Sequence, residues 1–240
     1  MIKHKQQQKQ QIHPSNESGF TIIESLVAML VVTILLAAIA PTIVIATATR
    51  VQSKRVELAT QAARTFIDGV KTGAVTIPAT TTAPTGTLAG NNLLNTTSMP
   101  VPQTTTSLTS LYCVTKDTNN SLAITNPDCT SNTNKIFYIQ AVRITATGST
   151  PTDSTGLPKD GYRLAIRVYR SDIDVTKTVY AGLSDSSINK KQNTFTGTLG
   201  NTQSPLVEMT TEIGSRNTSF NALCQRLAIT GSTTSNTTCN

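Results

Sequence analysis

One carboxylate in this sequence stands where a charge is costly. Glu24 is the single charged residue between Phe20 and Thr49, inside a run from Gly19 to Ala48 that reads GFTIIESLVAMLVVTILLAAIAPTIVIATA. An ionisable side chain inside an apolar span costs a few kcal/mol and is by default a functional group. If the chain is cut ahead of Phe20, the new amine of one copy and the Glu24 carboxylate of another can pair in a low-dielectric setting. Such a pair sets register more than it adds net stability. The alternative is an uncleaved signal anchor in which Glu24 sits near a membrane surface.

Other chemistry-bearing residues are sparse. The four cysteines, Cys113, Cys129, Cys224 and Cys239, all follow the apolar run. An even count in an exported segment indicates two disulfides in one of three pairings, and the local set, Cys113–Cys129 with Cys224–Cys239, is preferred because each closes a short loop. Zinc is the competing use of the thiols. It is disfavoured because no pair has C-x-x-C spacing and both histidines, His4 and His13, precede the apolar run. Asp172 and Asp174 fall in a turn without a third carboxylate, a poor calcium site. A chain cut between Gly19 and Phe20 contains no histidine, which removes the usual base of Ser-His-Asp and Cys-His machinery, and there is no GxxxxGK[ST] phosphate loop. The expectation is a structural subunit with no catalytic residue, no cofactor and no metal.

The elements that position these residues begin with a polar, basic leader, residues 1–19, which the positive-inside rule keeps in the cytoplasm. Residues 20–49 are long enough to cross a bilayer core of roughly 30 Å as a helix, so the head is expected across the inner membrane, in the periplasm or outside the cell. A secretory signal is cut after its apolar core, whereas Gly19-Phe20 lies before it, so a cut there keeps the core as a permanent stem. Pro41 removes a backbone donor in mid-stem and is expected to bend or loosen the helix. Residues 50–73 continue it as an amphipathic segment, with Val51, Leu58, Ala62, Phe66 and Val70 as the apolar stripe and Gly69 or Gly73 as the stop.

Residues 74–240 form the expected head. Ala74 to Ser110 is rich in Thr, Pro, Gly and Asn and reads as a long surface loop with one or two short ordered pieces. Strands are predicted over Lys135–Ala146, Gly161–Arg170 and Thr176–Leu183, making an antiparallel meander with one face on the helix. In the second, Tyr162, Leu164, Ile166 and Val168 share one face and Arg163 and Arg167 the other. Arg143, Arg163, Arg167 and Arg170 are either a positive exposed stripe suited to an acidic polymer or the solvated face of a half-buried sheet. Beyond Gly182 the chain is polar, with Phe195, Leu199, Leu206 and Val207 as anchors and a short helix expected over Asn217–Ile229.

The net charge is +7, from 20 basic and 13 acidic residues, and without the leader it is 17 against 12, or +5. No run of five like charges occurs, so no specific nucleic-acid site is expected, while an acidic polysaccharide is a permissible partner.

The string Gly19-Phe20-Thr21-Ile22-Ile23-Glu24 followed by the apolar run resembles the N-terminal signature of the type IV pilin family, which includes the pseudopilins of type II secretion systems. That resemblance implies an α+β fold, a long N-terminal helix packed on an antiparallel sheet. It also implies a prepilin peptidase that cuts between Gly19 and Phe20, methylation of Phe20, assembly with other pilin or pseudopilin subunits guided by Glu24, and a mid-stem Pro41 that loosens on assembly. Glu17 and Ser18 stand before Gly19, where many family members have a basic residue. The stretch Arg50-Val51-Gln52, with Arg55-Val56-Glu57-Leu58-Ala59-Thr60-Gln61-Ala62-Ala63-Arg64, is similar to the stem of pseudopilins of the hormogonium polysaccharide secretion system of filamentous cyanobacteria. That likeness implies a role in polysaccharide secretion and gliding motility.

Overall fold

A computed structural model describes residues 19, 21–79, 94, 96, 98–130, 134–145, 150, 152–182, 200–215 and 218–220. The chain divides into two compact units, Met1–Val44 and Ile45–Asn240. Helix α1 runs over Ile22–Thr72 without a break at Pro41.

In the first unit the helical side chains are exposed throughout, Ile22, Ile23 and Met29 by more than 70%. Its hydroxyls are satisfied by the helix itself. Thr33 donates to the carbonyls of Met29 at 3.0 Å and Leu30 at 2.8 Å, and Thr42 to that of Ile39 at 2.7 Å. A helix that bonds its own polar side chains leaves no orphan donor toward hydrocarbon.

The second unit is an α+β structure in which the later part of α1 covers one face of a five-stranded antiparallel sheet. The strands are β1 (Tyr112–Lys116), β2 (Leu122–Thr125), β3 (Lys135–Ile144), β4 (Tyr162–Arg170) and β5 (Val207–Ile213), in the order β2-β1-β3-β4-β5. Together with the long apolar helix this is a pilin-like architecture. The helix buries Ala59, Ala62, Ala63, Phe66 and Val70, a stripe at spacings of three and four. They pack in one core with Tyr112 and Val114 of β1, Phe137, Ile139 and Ala141 of β3, and Tyr162, Leu164, Ile166 and Val168 of β4. Three alanines let the helix approach the sheet closely, and the Phe66 ring meets Tyr112 edge-on at 4.7 Å. The predicted stripe is corrected at its start, since Val51 is 42% exposed. Gly73 takes a φ of +74° just past the helix and donates to the Val70 carbonyl, the left-handed stop that glycine favours. Gly69 has a different job: a Cβ there would collide with Val75, which folds back onto the last turn.

Two of the three predicted strands are present within two residues at each end. The third is not: the described residues 176–182 contribute no strand to the sheet. Asp174 turns the chain by accepting the amide and hydroxyl of Thr176, and the following segment buries Val179 and Ala181 without forming a strand. The outer strand beside β4 is β5, from a stretch expected to be loop. Nor is the sheet solvated on its second face. Leu111, Cys113, Cys129, Tyr138, Tyr169 and Val179 form one apolar cluster there, and Met99, Ile144 and Ala165 another. The described part of the Ala74–Ser110 tract therefore is a cover for the sheet, with Met99 wholly buried, and not a surface loop throughout. Phe195, Leu199 and nearly all of Asn217–Ile229 lie outside the described residues.

Candidate functional site

The residues singled out from sequence begin at the start of α1. Gly19 is exposed, and Phe20 lies outside the described residues. Thr21 precedes the first helical residue, and its Oγ1 accepts the backbone N–H of Glu24 at 3.3 Å, while its carbonyl accepts the N–H of Ser25 at 3.1 Å. Thr21-Ile22-Ile23-Glu24 is thus one half of a capping box, Thr at the cap and Glu at the third helical position. The spacing was readable in the sequence, where Glu24 drew attention only as an intramembrane charge. The cap explains why the helix starts at Ile22 and places the Glu24 carboxylate in its first turn, where the positive end of the helix dipole favours it. Glu24 is exposed and Pro41 lies within the continuous helix.

The second group comprises the cysteines. Cys113 and Cys129 form a disulfide with their Cα atoms 5.4 Å apart, both fully buried. The bridge ties the 126–130 segment to β1. Asn126 in that segment accepts the amide and hydroxyl of Thr76 at 2.9 and 3.0 Å, so the chain leaving the helix is anchored at the same place. Cys224 and Cys239 lie outside the described residues.

The third group, the four arginines, is not a stripe. Arg143 stands opposite Leu164 in the β3–β4 ladder and so lies on the helix-facing side, its guanidinium 5.6 Å from the Tyr162 ring centre. Arg163 and Arg167 are on the other face, where each meets a directly opposed glutamate of β5, Glu212 at 3.3 Å and Glu208 at 2.6 Å. Arg170 pairs with Asp172 in the turn at 2.5 Å. Arg167 is wholly buried, and its two remaining arms donate to the carbonyls of Leu94 and Met99. For Arg163 and Arg167 both expectations fail because Glu212 and Glu208 of β5, with Leu94 and Met99 of the covering segment, occupy the face that the alternation left for solvent, whereas Arg143 lies on the helix side of the sheet.

The first core holds two buried phenols. Burial pushes the Tyr112 hydroxyl up to about 12, against the opposing pull of the Thr76 side chain, and the hydroxyl donates to the Thr76 carbonyl at 2.9 Å. Burial likewise takes Tyr162 to about 12, against the opposing pull of Arg143. These phenols are neutral packing groups at ordinary pH.

A family model for the prokaryotic N-terminal methylation motif matches residues 14–40. The chain therefore carries a type IV pilin-like, class III N-terminal signal, and that signal lies on the apolar helix of a pilin-like α+β architecture. Motif and helix together support a single-pass membrane anchor, and motif and fold point to a structural subunit that prepilin peptidase processes and that assembles with other pilins. No curated protein and no solved structure matches the chain.

Proposed function

We propose that the protein is a minor pilin-like subunit, a pseudopilin, of a type IV pilus-like or type II secretion-like filament. Residues 1–19 are the cytoplasmic leader, 20–49 the transmembrane and assembly stem, 50–73 its amphipathic continuation and 74–240 the extracytoplasmic head. Prepilin peptidase cuts between Gly19 and Phe20, Phe20 is methylated, and its amine pairs with Glu24 of a neighbouring subunit as the stem leaves the inner membrane. Pro41 supplies a point of local loosening on assembly. The observation that carries this reading is the methylation motif over 14–40, on a helix whose first turn holds the stem's one acid. A head of about 170 residues with long connections suits a minor component better than a repeating body.

Mass spectrometry of the purified protein tests the processing: the expected N-terminus is a methylated Phe20, and a chain beginning at Met1 overturns the proposal. Glu24→Ala is expected to be processed but excluded from filaments, and normal incorporation removes the assembly role.

Within this reading the role is polysaccharide secretion supporting gliding motility, on the similarity of residues 50–64. An acidic polysaccharide is a further partner on the basic balance of the chain alone. A deletion strain is expected to lose surface polysaccharide and motility while keeping protein export and DNA uptake, and the reverse pattern reassigns the filament.

A further inference from the structure

Strand β3 is longer than the strand that pairs with it on one side. On the β1 side the ladder reaches Tyr112 opposite Ile139 and stops, because the 3₁₀ turn over Thr105–Ser110 carries the preceding chain away from the sheet. Further along the same edge, the Arg143 N–H is taken by the carbonyl of Ala79 at 3.1 Å. From Ile139 to Arg143 is about 13 Å of strand at roughly 3.3 Å per residue. Backbone groups alternate direction along a strand, so the N–H and C=O of Ala141 point the same way as the Arg143 N–H, out from β4. No residue among those described takes them.

A cleft of about 480 Å³ opens at this gap, with Gln140, Ala141 and Val142 as its floor. That volume lies within the roughly 300–1,000 Å³ typical of ligand sites. Its walls include Pro78, Pro100, Pro102 and Pro127, which have no N–H to offer, and no charged side chain among the described residues lines it. The Gln140 amide donates to the Pro100 carbonyl at 2.5 Å, while its buried Oε1 has no partner. At Ala141 the strand edge beside the cleft thus has one peptide-unit donor and one peptide-unit acceptor, between largely apolar walls. That pattern complements a main chain and offers nothing to a charged ligand.

We propose that this cleft receives a short, uncharged, extended segment of another polypeptide, which adds a strand to the free edge of β3 at Ala141. The inference concerns the head alone and does not depend on the stem's processing or assembly. It is tested on the full chain in lipid nanodiscs with a capped pentapeptide of alanine, valine and threonine, following amide hydrogen exchange at Ala141 and Ile139. In the free protein Ala141 is expected to exchange at least tenfold faster than the ladder-bonded Ile139, and saturating peptide should slow it at least tenfold. A peptide N-methylated at its central residue lacks the donor and should give no protection. Ser110→Trp, placed at an exposed position on the rim, should also abolish protection while leaving Ile139 slow. Three outcomes overturn the proposal: Ala141 as protected as Ile139 before peptide is added, which means that the chain fills its own cleft; equal protection by the N-methylated peptide; or protection by a glucuronate oligosaccharide and not by the peptide.

Discussion

Arg167 shows how a single residue can hold two layers together. Its guanidinium is wholly buried, bonded to Glu208 on the neighbouring strand and to two carbonyls of the segment that covers the sheet. Arg167→Ala leaves the nearly buried Glu208 carboxylate without its counter-charge and removes the donor to two carbonyls of the covering segment, and is expected to cost about 3–5 kcal/mol in chemical denaturation. Arg167→Met with Glu208→Met removes both charges and should recover most of that loss. Gly182 belongs to the same site, because its N–H donates to Glu208 Oε1 at 2.8 Å and a Cβ there would meet the carboxylate. Gly182→Ala is expected to cost about 1–3 kcal/mol, through displacement of Glu208. The phenols set an alkaline limit. Unfolded tyrosine ionises near 10, and Tyr112 and Tyr162 do so near 12 in the folded state, so the folded state holds its protons more tightly. Their contribution is complete below about pH 10 and is lost as pH rises through about 12. Thermal unfolding followed at pH 8, 10 and 11.5 should show a level midpoint up to about 10 and then a steep fall.

At the scale of elements, the Cys113–Cys129 bridge closes a 16-residue separation and fixes the segment that bonds Thr76 at the helix exit. Cys113→Ser with Cys129→Ser, or reduction, is expected to lower stability by about 3 kcal/mol, read as a shift in the denaturant midpoint at constant slope. Sequence pattern revealed the elements whose side chains follow one dominant period. The helix announced itself through the apolar run and the Ala62, Phe66 and Val70 spacing, and β4 through strict alternation. Strand β5 was hidden because VEMTTEI carries Glu208 and Glu212, residues that look like loop until Arg167 and Arg163 are seen opposite them. Strands β1 and β2 were hidden by their shortness and by the Asp117 turn, whose carboxylate accepts the amides of Asn119 and Ser121. Thr176–Leu183 misled for the converse reason, since Val179 covers a sheet face and the described residues 176–182 form no strand. At the candidate site, the position of Glu24 was legible, whereas its cap by Thr21 went unread.

For the whole molecule, the first unit leaves its large apolar side chains without a covering surface among the described residues. A patch of that extent needs lipid or protein against it. The full chain is accordingly expected to remain in the membrane pellet after carbonate washing and to enter solution only with detergent; release by carbonate would contradict a spanning stem. The second unit carries a quieter consequence. Three of its four strand arginines already have carboxylate partners within the fold, and the fourth rests over a tyrosine ring. Affinity for a polyanion grows with the number of small cations that the protein displaces from it, and side chains already neutralised displace none. The three ion-paired arginines of this sheet therefore have almost nothing to exchange, and a ligand held against them is expected to stay bound at salt concentrations that would strip an ordinary basic surface bare.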